Sequence, residues 1–153
     1  MSKRYAVSGP NQSAAAPQTM AQIASPATVR ANIYDLLVGS SATPADQALL
    51  VVAGRITTLG TVTAQTPLPL DANDIASLCV GGVGATGITA TAEPTYNAVF
   101  ALNFGMNQRA TFRWVAAPGG EVMSAAGAAS GFGAKVHTST ATLIENCTVH
   151  WWE

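Results

Sequence analysis

Residues 96–104, with the sequence YNAVFALNF, form the clearest strand pattern in this chain of 153 residues. Every second side chain from Tyr96 to Phe104 is aromatic or apolar, so these side chains would line one face of the strand. A period of two residues is typical of a β-strand with one face buried. We therefore predict a strand over the whole stretch.

Residues 109–116 (RATFRWVA) repeat this alternation. Phe112 and Trp114 would point to one face, and Arg109 and Arg113 to the other, because neighbouring strand residues face opposite sides. Arginines beside aromatic rings can also stack on single-stranded bases. The opposite faces and the formal net charge of −1 favour a simpler interpretation, in which the aromatic rings fill a core and the arginines face solvent.

Further alternating stretches follow from Val29 onward, separated by glycine, proline and small polar residues. They span residues 29–38, 49–58, 61–66, 88–93 and 136–152. Short strands that recur with turn residues between them indicate an antiparallel β-sandwich or a jelly roll. Helical periodicity is weak throughout, although residues 74–78 could form one helical turn. We predict a single all-β, jelly-roll-like sandwich domain over residues 29–153.

Residues 1–28 differ from this pattern and are predicted to form an extended N-terminal arm. Small residues and three prolines favour an extended conformation over a packed helix. Tyr5 and Val7 could add as a strand to the sheet of a partner. We expect the sandwich to fold without the arm, so that deletion of residues 2–26 would abolish partner binding and leave the core intact.

The composition argues against several classes of function. Charged residues make up 10% of the chain, compared with about 25% in a typical soluble domain. Seven basic and eight acidic residues do not favour the phosphate contacts of a nucleic-acid-binding protein. No apolar run approaches the roughly 18 residues of a membrane-spanning helix. A surface with so few charges is expected to be covered by a partner or packed in an array.

The sequence predicts no catalytic centre, metal site or cofactor. A hydrolase would need a pocket that joins His137 or His150 to a serine or cysteine. Cys147 and His150 are three residues apart, so on a strand they would face opposite sides and could not chelate one metal ion. The glycine pattern at residues 82–87 (GVGATG) lacks the following helix that a dinucleotide site requires.

The cysteines and the N-terminus indicate synthesis in a cytoplasm. Cys79 and Cys147 are far apart and are expected to be buried free thiols, a single disulfide being the alternative. Lys3 and Arg4 could begin a secretory signal, but no apolar segment follows them.

The sequence ends in two adjacent tryptophans, Trp151 and Trp152, followed by Glu153. Because adjacent strand residues point to opposite faces, both indoles cannot enter one core. We expect one indole to pack inside and the other to cover an edge or to contact a partner, since tryptophan is enriched at protein interfaces.

Five blocks of sequence within residues 28–153 carry a family likeness. They are residues 28–39 (TVRANIYDLLVG), 43–46 (TPAD), 93–96 (EPTY), 107–121 (NQRATFRWVAAPGGE) and 150–153 (HWWE). Together the blocks resemble a family of small virion proteins of tailed bacteriophages, of the capsid decoration (cement) type.

This resemblance implies a β-sandwich that trimerises on the outside of a phage head, binds the major capsid protein and stabilises the shell without catalysing a reaction. The protein would then lie on the exterior of the virion capsid. On this hypothesis the residues that contact the partner are Lys3, Arg4, Tyr5, Val7, Trp151 and Trp152. The alternative is a tail or fibre-associated module that binds glycans of the host surface.

Overall fold

The computed structural model describes residues 2–13, 17–40, 45–80, 85–138 and 143–153, which form β-strands and no helix. The strands are β1 (Arg4–Ser13), β2 (Gln18–Ser25), β3 (Asn32–Ser40), β4 (Ala48–Thr58), β5 (Thr61–Ala64), β6 (Leu68–Pro69), β7 (Gly87–Ala92), β8 (Thr95–Tyr96), β9 (Leu102–Asn107), β10 (Phe112–Val115), β11 (Val122–Met123), β12 (Ser130–Thr138) and β13 (Leu143–Trp152). Over these ranges the chain has no helix of the length and apolarity needed to cross a bilayer.

The strands form two antiparallel sheets packed together. Sheet A has the order β10-β3-β13-β1-β6, and β11 also pairs with β3. Sheet B has the order β5-β7-β2-β12-β4-β8, and β9 also pairs with β4. The predicted all-β sandwich is therefore confirmed, while the jelly-roll connectivity stays a prediction.

Apolar side chains from the inner faces of both sheets form one core. Tyr5 on β1 and Trp151 on β13 are directly opposite each other, and their ring centroids are 5.9 Å apart. Ile23 and Phe132, paired between β2 and β12, contribute from sheet B. All four side chains are fully buried. Burial of such a side chain contributes about 1.5–3 kcal/mol of hydrophobic stabilisation.

The described part of the segment expected to be an arm lies within the sandwich. β1 pairs with β13 along its whole length, from Arg4 opposite Trp152 to Ser13 opposite Leu143. β2 lies between β7 and β12, inside sheet B. The segment thus differs from the extended arm that its composition led us to expect.

The burial of β2 on both faces explains this difference. Small residues allow neighbouring segments to approach both faces of the strand, so that its sequence lacks a polar-apolar alternation. The amide of Gln22 satisfies the backbone of one such segment, because its Nε2 donates to Gly60 O at 3.2 Å and its Oε1 accepts from Gly60 N at 2.9 Å. Pro17 and Pro26 flank the strand without interrupting its ladder.

The strand predicted over residues 96–104 is interrupted in the structure. β8 ends at Tyr96 and β9 begins at Leu102, and residues 97–101 between them are not in a strand. This segment passes over β4 at Gly54, where a Cβ atom would lie 3.3 Å from the Cα of Phe100. The missing side chain at Gly54 makes room for the detour, which the alternation alone does not reveal.

Other predictions made from the sequence also differ from the structure. Residues 74–78 form bends and irregular backbone instead of a helical turn. The single strand expected over residues 136–152 is divided between β12 and β13, and residues 139–142 lie outside the described residues.

Deletion of residues 2–13 should prevent folding instead of leaving an intact core. The deletion removes β1, which takes Tyr5 away from Trp151 and leaves one edge of β13 without a partner. We expect loss of the near-ultraviolet circular dichroism signal and of amide dispersion in NMR spectra. Arg4→Ala, in the same strand but facing solvent, should keep both signals. A truncated chain with native spectra would instead show that these residues are dispensable for the fold.

Candidate functional site

One face of sheet A points away from the core and carries the most distinctive polar and aromatic residues. The directly opposite residues on this outer face include Arg4 with Trp152, and His150 with Asp35. Arg113 of β10 lies on the same side, opposite Leu37, which is two residues from Asp35 along β3. The face therefore draws on the first and last strands of the chain and on two strands between them.

The six residues predicted to contact a partner divide between the core and the surface. Three of them are in the core and at most 3% exposed: Tyr5, Val7 and Trp151. The other three remain at the surface: Lys3, Arg4 and Trp152. Strand alternation in β1 and β13 explains the division. Tyr5 and Val7 are therefore not available to add a strand to a partner sheet, since their strand is already paired and their side chains are packed inside.

Two of these three surface residues, Arg4 and Trp152, belong to a group that we call the outer aromatic surface, which consists of Arg4, Tyr34, His150 and Trp152. The rings of Tyr34 and His150 are stacked, with centroids 6.0 Å apart and planes 18° apart. Burial raises the pKa of Tyr34, and the nearby charge of Arg4 opposes this rise. Asn32 Nδ2 donates to Trp152 O at 3.2 Å, which fixes the last strand against β3.

Asp35 lies beneath the outer aromatic surface, next to His150. Its side chain is only 5% exposed, and it accepts hydrogen bonds from Arg113 Nε at 3.0 Å and Arg113 Nη2 at 2.7 Å. His150 Nδ1 lies 3.1 Å from Asp35 Oδ2. Burial acts to raise the pKa of Asp35, but the hydrogen bonds from Arg113 and His150 outweigh it and hold the pKa below its usual range.

The outward Arg113 matches the interpretation of residues 109–116. Arg113 is 61% exposed, whereas Phe112 and Trp114 pack against the core. The sequence did not identify Asp35 as the partner of this arginine, because the two residues are far apart in the chain. An acid in the middle of a strand-like stretch of large apolar residues was the available signal.

A second exposed surface, the 68–80 surface, lies at the β6 edge of sheet A. Its exposed apolar side chains are Leu68, Leu70, Ile75, Leu78 and Val80. Asp71 and Asp74 are the charged residues within this stretch of sequence. Large apolar side chains exposed close together in the sequence make this segment a candidate site of protein interaction.

The 68–80 surface is held in place by buried polar groups. The Tyr5 hydroxyl donates to Ile75 O at 3.1 Å. The carboxylate of Glu153 accepts from the Ser77 hydroxyl and from Leu78 N at 3.0 Å. Burial acts to raise the pKa of Glu153, but these hydrogen bonds, led by that of Ser77, hold it below its usual range. The apolar side chains are thus presented on a fixed backbone.

A cleft of about 570 Å³, which we call the Arg55 cleft, opens between residues 97–101 and β11. Arg55 and Glu121 are its charged lining residues. Arg55 Nε donates to Met123 O at 2.7 Å, which orients the guanidinium group. Val99 in its wall is 81% exposed, more than any other large apolar side chain among the described residues. This cleft could not be predicted from the sequence, because its walls come from both sheets.

Cys79, Cys147 and His150 were the residues considered for a nucleophilic or metal centre. Cys147 points into the core and His150 to the outer face, as the three-residue spacing predicts. Cys79 and Cys147 are free thiols, and burial raises the pKa of both, which disfavours the reactive thiolate. Within the described ranges, no three metal-ligating side chains converge. Residues 81–84, which contain the first half of the glycine pattern, lie outside the described residues.

Glu145 on β13 is a fully buried carboxyl group. Among the described residues, neither of its side-chain oxygens has a hydrogen-bond partner. Burial raises the pKa of Glu145 to about 7, because desolvation disfavours the charged form. Ionisation of Glu145 therefore destabilises the folded chain, whereas the ionised Asp35 is stabilised by Arg113 and His150.

No protein-family model, curated protein or solved structure matches this chain. Its function is therefore inferred from its own surfaces and from the sequence blocks described above.

Asp35→Asn should lower the free energy of unfolding near neutral pH by about 1–3 kcal/mol, because the charge-assisted hydrogen bonds are weakened. A lowered pKa in the folded state contributes stability above the unfolded pKa, and this contribution is lost as pH falls through the folded pKa. The difference from the wild type should therefore shrink below about pH 4. Urea unfolding at a series of acidic pH values measures this difference in the free energy of unfolding, and Asp71→Asn at an exposed position is the control. A difference that did not depend on pH would contradict this account of Asp35.

Glu145→Gln should have the opposite pH dependence. The unfolded chain ionises Glu145 from about pH 4 upward, whereas the folded chain keeps it neutral until about pH 7. The wild type therefore loses stability over that interval, and the variant does not. We expect the variant to be more stable than the wild type by on the order of 1–3 kcal/mol at pH 8, with the advantage vanishing near pH 4. Thermal or urea unfolding tests this, with Glu121→Gln as the matched control; an equal advantage at both pH values would contradict it.

Proposed function

We propose that this protein is a structural subunit of a tailed-bacteriophage head, which binds the outer surface of the capsid shell as a homotrimer and stabilises that shell. The observation that carries the proposal is the outer aromatic surface, in which Arg4, Tyr34 and Trp152 share one face of a hydrogen-bonded sheet. The proposed partner is the major capsid protein, and the protein acts by binding instead of by catalysis.

The residue types of this surface suit protein recognition. Tryptophan, tyrosine and arginine are the side chains most enriched among residues that dominate binding energy. Here they are held before any partner arrives, since Tyr34 stacks on His150 and the backbone of Trp152 is fixed by Asn32. Such preorganisation lowers the conformational entropy lost on binding.

The sequence blocks that resemble capsid decoration proteins converge on this same face. Residues 28–39 contribute Tyr34 and Asp35, residues 107–121 contribute Arg113, and residues 150–153 contribute His150 and Trp152. These residues meet through the register of β3, β10 and β13. The resemblance and the geometry thus support the same surface by different arguments.

Binding at many equivalent positions would make this function effective. A single weak contact becomes stable when several copies are linked, because the later contacts form at high effective concentration. A trimer that spans neighbouring shell subunits would stabilise the shell by this means.

The proposal predicts that Trp152→Ala combined with Arg4→Glu weakens attachment to heads by about a hundredfold, as expected for the loss of central interface residues. Purified heads lacking the protein are mixed with wild-type or variant chain, and bound copies are measured by co-sedimentation and by cryo-electron microscopy. Arg109→Glu, a charge reversal in the turn before β10, should bind as the wild type does. Circular dichroism confirms that each variant is folded.

Undiminished occupancy by the folded double variant would reject the outer aromatic surface as the contact. Binding of the wild type to purified tails and not to heads would reject the proposed location. Neither result depends on how copies of the chain contact one another.

A further inference from the structure

The 68–80 surface and the Arg55 cleft lie at opposite edges of the sandwich. The 68–80 surface includes and follows β6, at one end of sheet A. The cleft is bounded by β11, at the other edge of the same sheet, and by residues 97–101 at the edge of sheet B. Each copy therefore presents a different exposed surface at each edge.

The parts of the two surfaces that adjoin sheet A, at Val122 and Pro69, lie at the same height along its strands. A single row of directly opposite residues crosses sheet A from edge to edge: Val122, Ile33, Trp151, Tyr5 and Pro69. Val122 lines the cleft, and Pro69 lies within the 68–80 surface. A rotation about an axis parallel to the strands can therefore bring one surface to the other without a shift along that axis.

The two surfaces both carry exposed apolar side chains, and Arg55 of one is opposite in charge to Asp71 and Asp74 of the other. The 68–80 surface is apolar with two acidic residues, Asp71 and Asp74, and its sequence contains no basic residue. The cleft offers the oriented guanidinium of Arg55 and the exposed apolar side chain of Val99, and its other charged lining residue is Glu121. Opposite charges set the register of such a contact, and apolar burial stabilises it.

We propose that the 68–80 surface of one copy docks into the Arg55 cleft of the next copy, so that the copies close into a ring. The occupant of the cleft is thus a second copy of this chain. Contacts between unlike surfaces give a closed ring when the rotation closes and a filament when it does not. The equal height of the two surfaces favours closure.

This contact is the one that the homotrimer of the proposed function requires, so the inference rests on that part of it. Attachment to the shell is a separate property, which belongs to the outer aromatic surface and has its own variants. A wild-type chain that binds heads but stays monomeric in solution would overturn the ring and leave the shell contact standing. A ring whose head binding ignores the substitutions at Arg4 and Trp152 would overturn the shell contact alone.

Sedimentation velocity of the full chain over a range of concentrations tests the ring. We expect a closed trimer for the wild type. Ile75→Ser with Leu78→Ser, the patch variant, and Val99→Asp, the cleft variant, should each weaken self-association about tenfold or more. Leu37→Ser, an equivalent loss of an apolar side chain on the outer face of sheet A, should leave it unchanged.

Mixing the two defective variants distinguishes contacts between unlike surfaces from contacts between like surfaces. The patch variant retains an intact cleft, and the cleft variant retains an intact 68–80 surface. An equimolar mixture should therefore form one-to-one heterodimers, whereas neither variant associates with itself. This result also shows that each variant is folded, because each contributes a native surface.

Charge exchange provides a second, independent test. Arg55→Glu should weaken the ring, and so should Asp71→Arg combined with Asp74→Arg. Combining all three substitutions in one chain should restore association, because the opposite charges meet again. The proposal would be overturned by a wild type that is monomeric, or by a trimer that neither the patch variant nor the cleft variant weakens. It would also be overturned if the mixture of the two variants stays monomeric, since this would indicate contact between like surfaces or with another protein.

Discussion

Strand β1 pairs with β13 along its entire length of ten residues, which places the first and last strands of the fold side by side within sheet A. This register decides which side chains are buried and which are presented. Tyr5 and Trp151 face each other in the core, whereas Arg4 and Trp152 face each other on the outside. A slip of one residue in either strand would exchange these faces, so the core and the outer aromatic surface depend on the same pairing.

The same pairing also controls the edge of the sheet. The Tyr5 ring lies in the core, yet its hydroxyl reaches Ile75 O in the 68–80 surface. Glu153, next to the end of β13, binds the other half of that segment through Ser77 and Leu78. The backbone below the exposed apolar residues is therefore tied to the most buried part of the molecule. This coupling explains how a segment without extended secondary structure can present a fixed surface.

Sequence alternation predicted the fold class and the outward position of Arg113. It also predicted that the side chains of the two terminal tryptophans point to opposite faces of the strand. The alternation did not predict the structure where a strand is buried on both faces, or where a neighbouring segment occupies the space of a missing side chain. β2 has no solvent-facing side, so its pattern resembled an irregular arm, and the detour at residues 97–101 depends on the absence of a side chain at Gly54. The partners of Asp35 could not be predicted either, because they come together only through the register of three strands.

The position of the 68–80 surface also bears on how the sandwich avoids unspecific association. An open sheet edge exposes unpaired backbone groups and invites pairing with another chain. In sheet A, β6 covers β1 only opposite Tyr5 and Ala6, and Leu70 N extends the cover by donating to Arg4 O at 2.8 Å. Residues 68–70 thus pair with part of the exposed backbone edge of β1, and the side chains of the 68–80 surface are presented there instead. Because side chains distinguish partners far better than an open ladder does, the covered edge favours one defined contact over random strand addition.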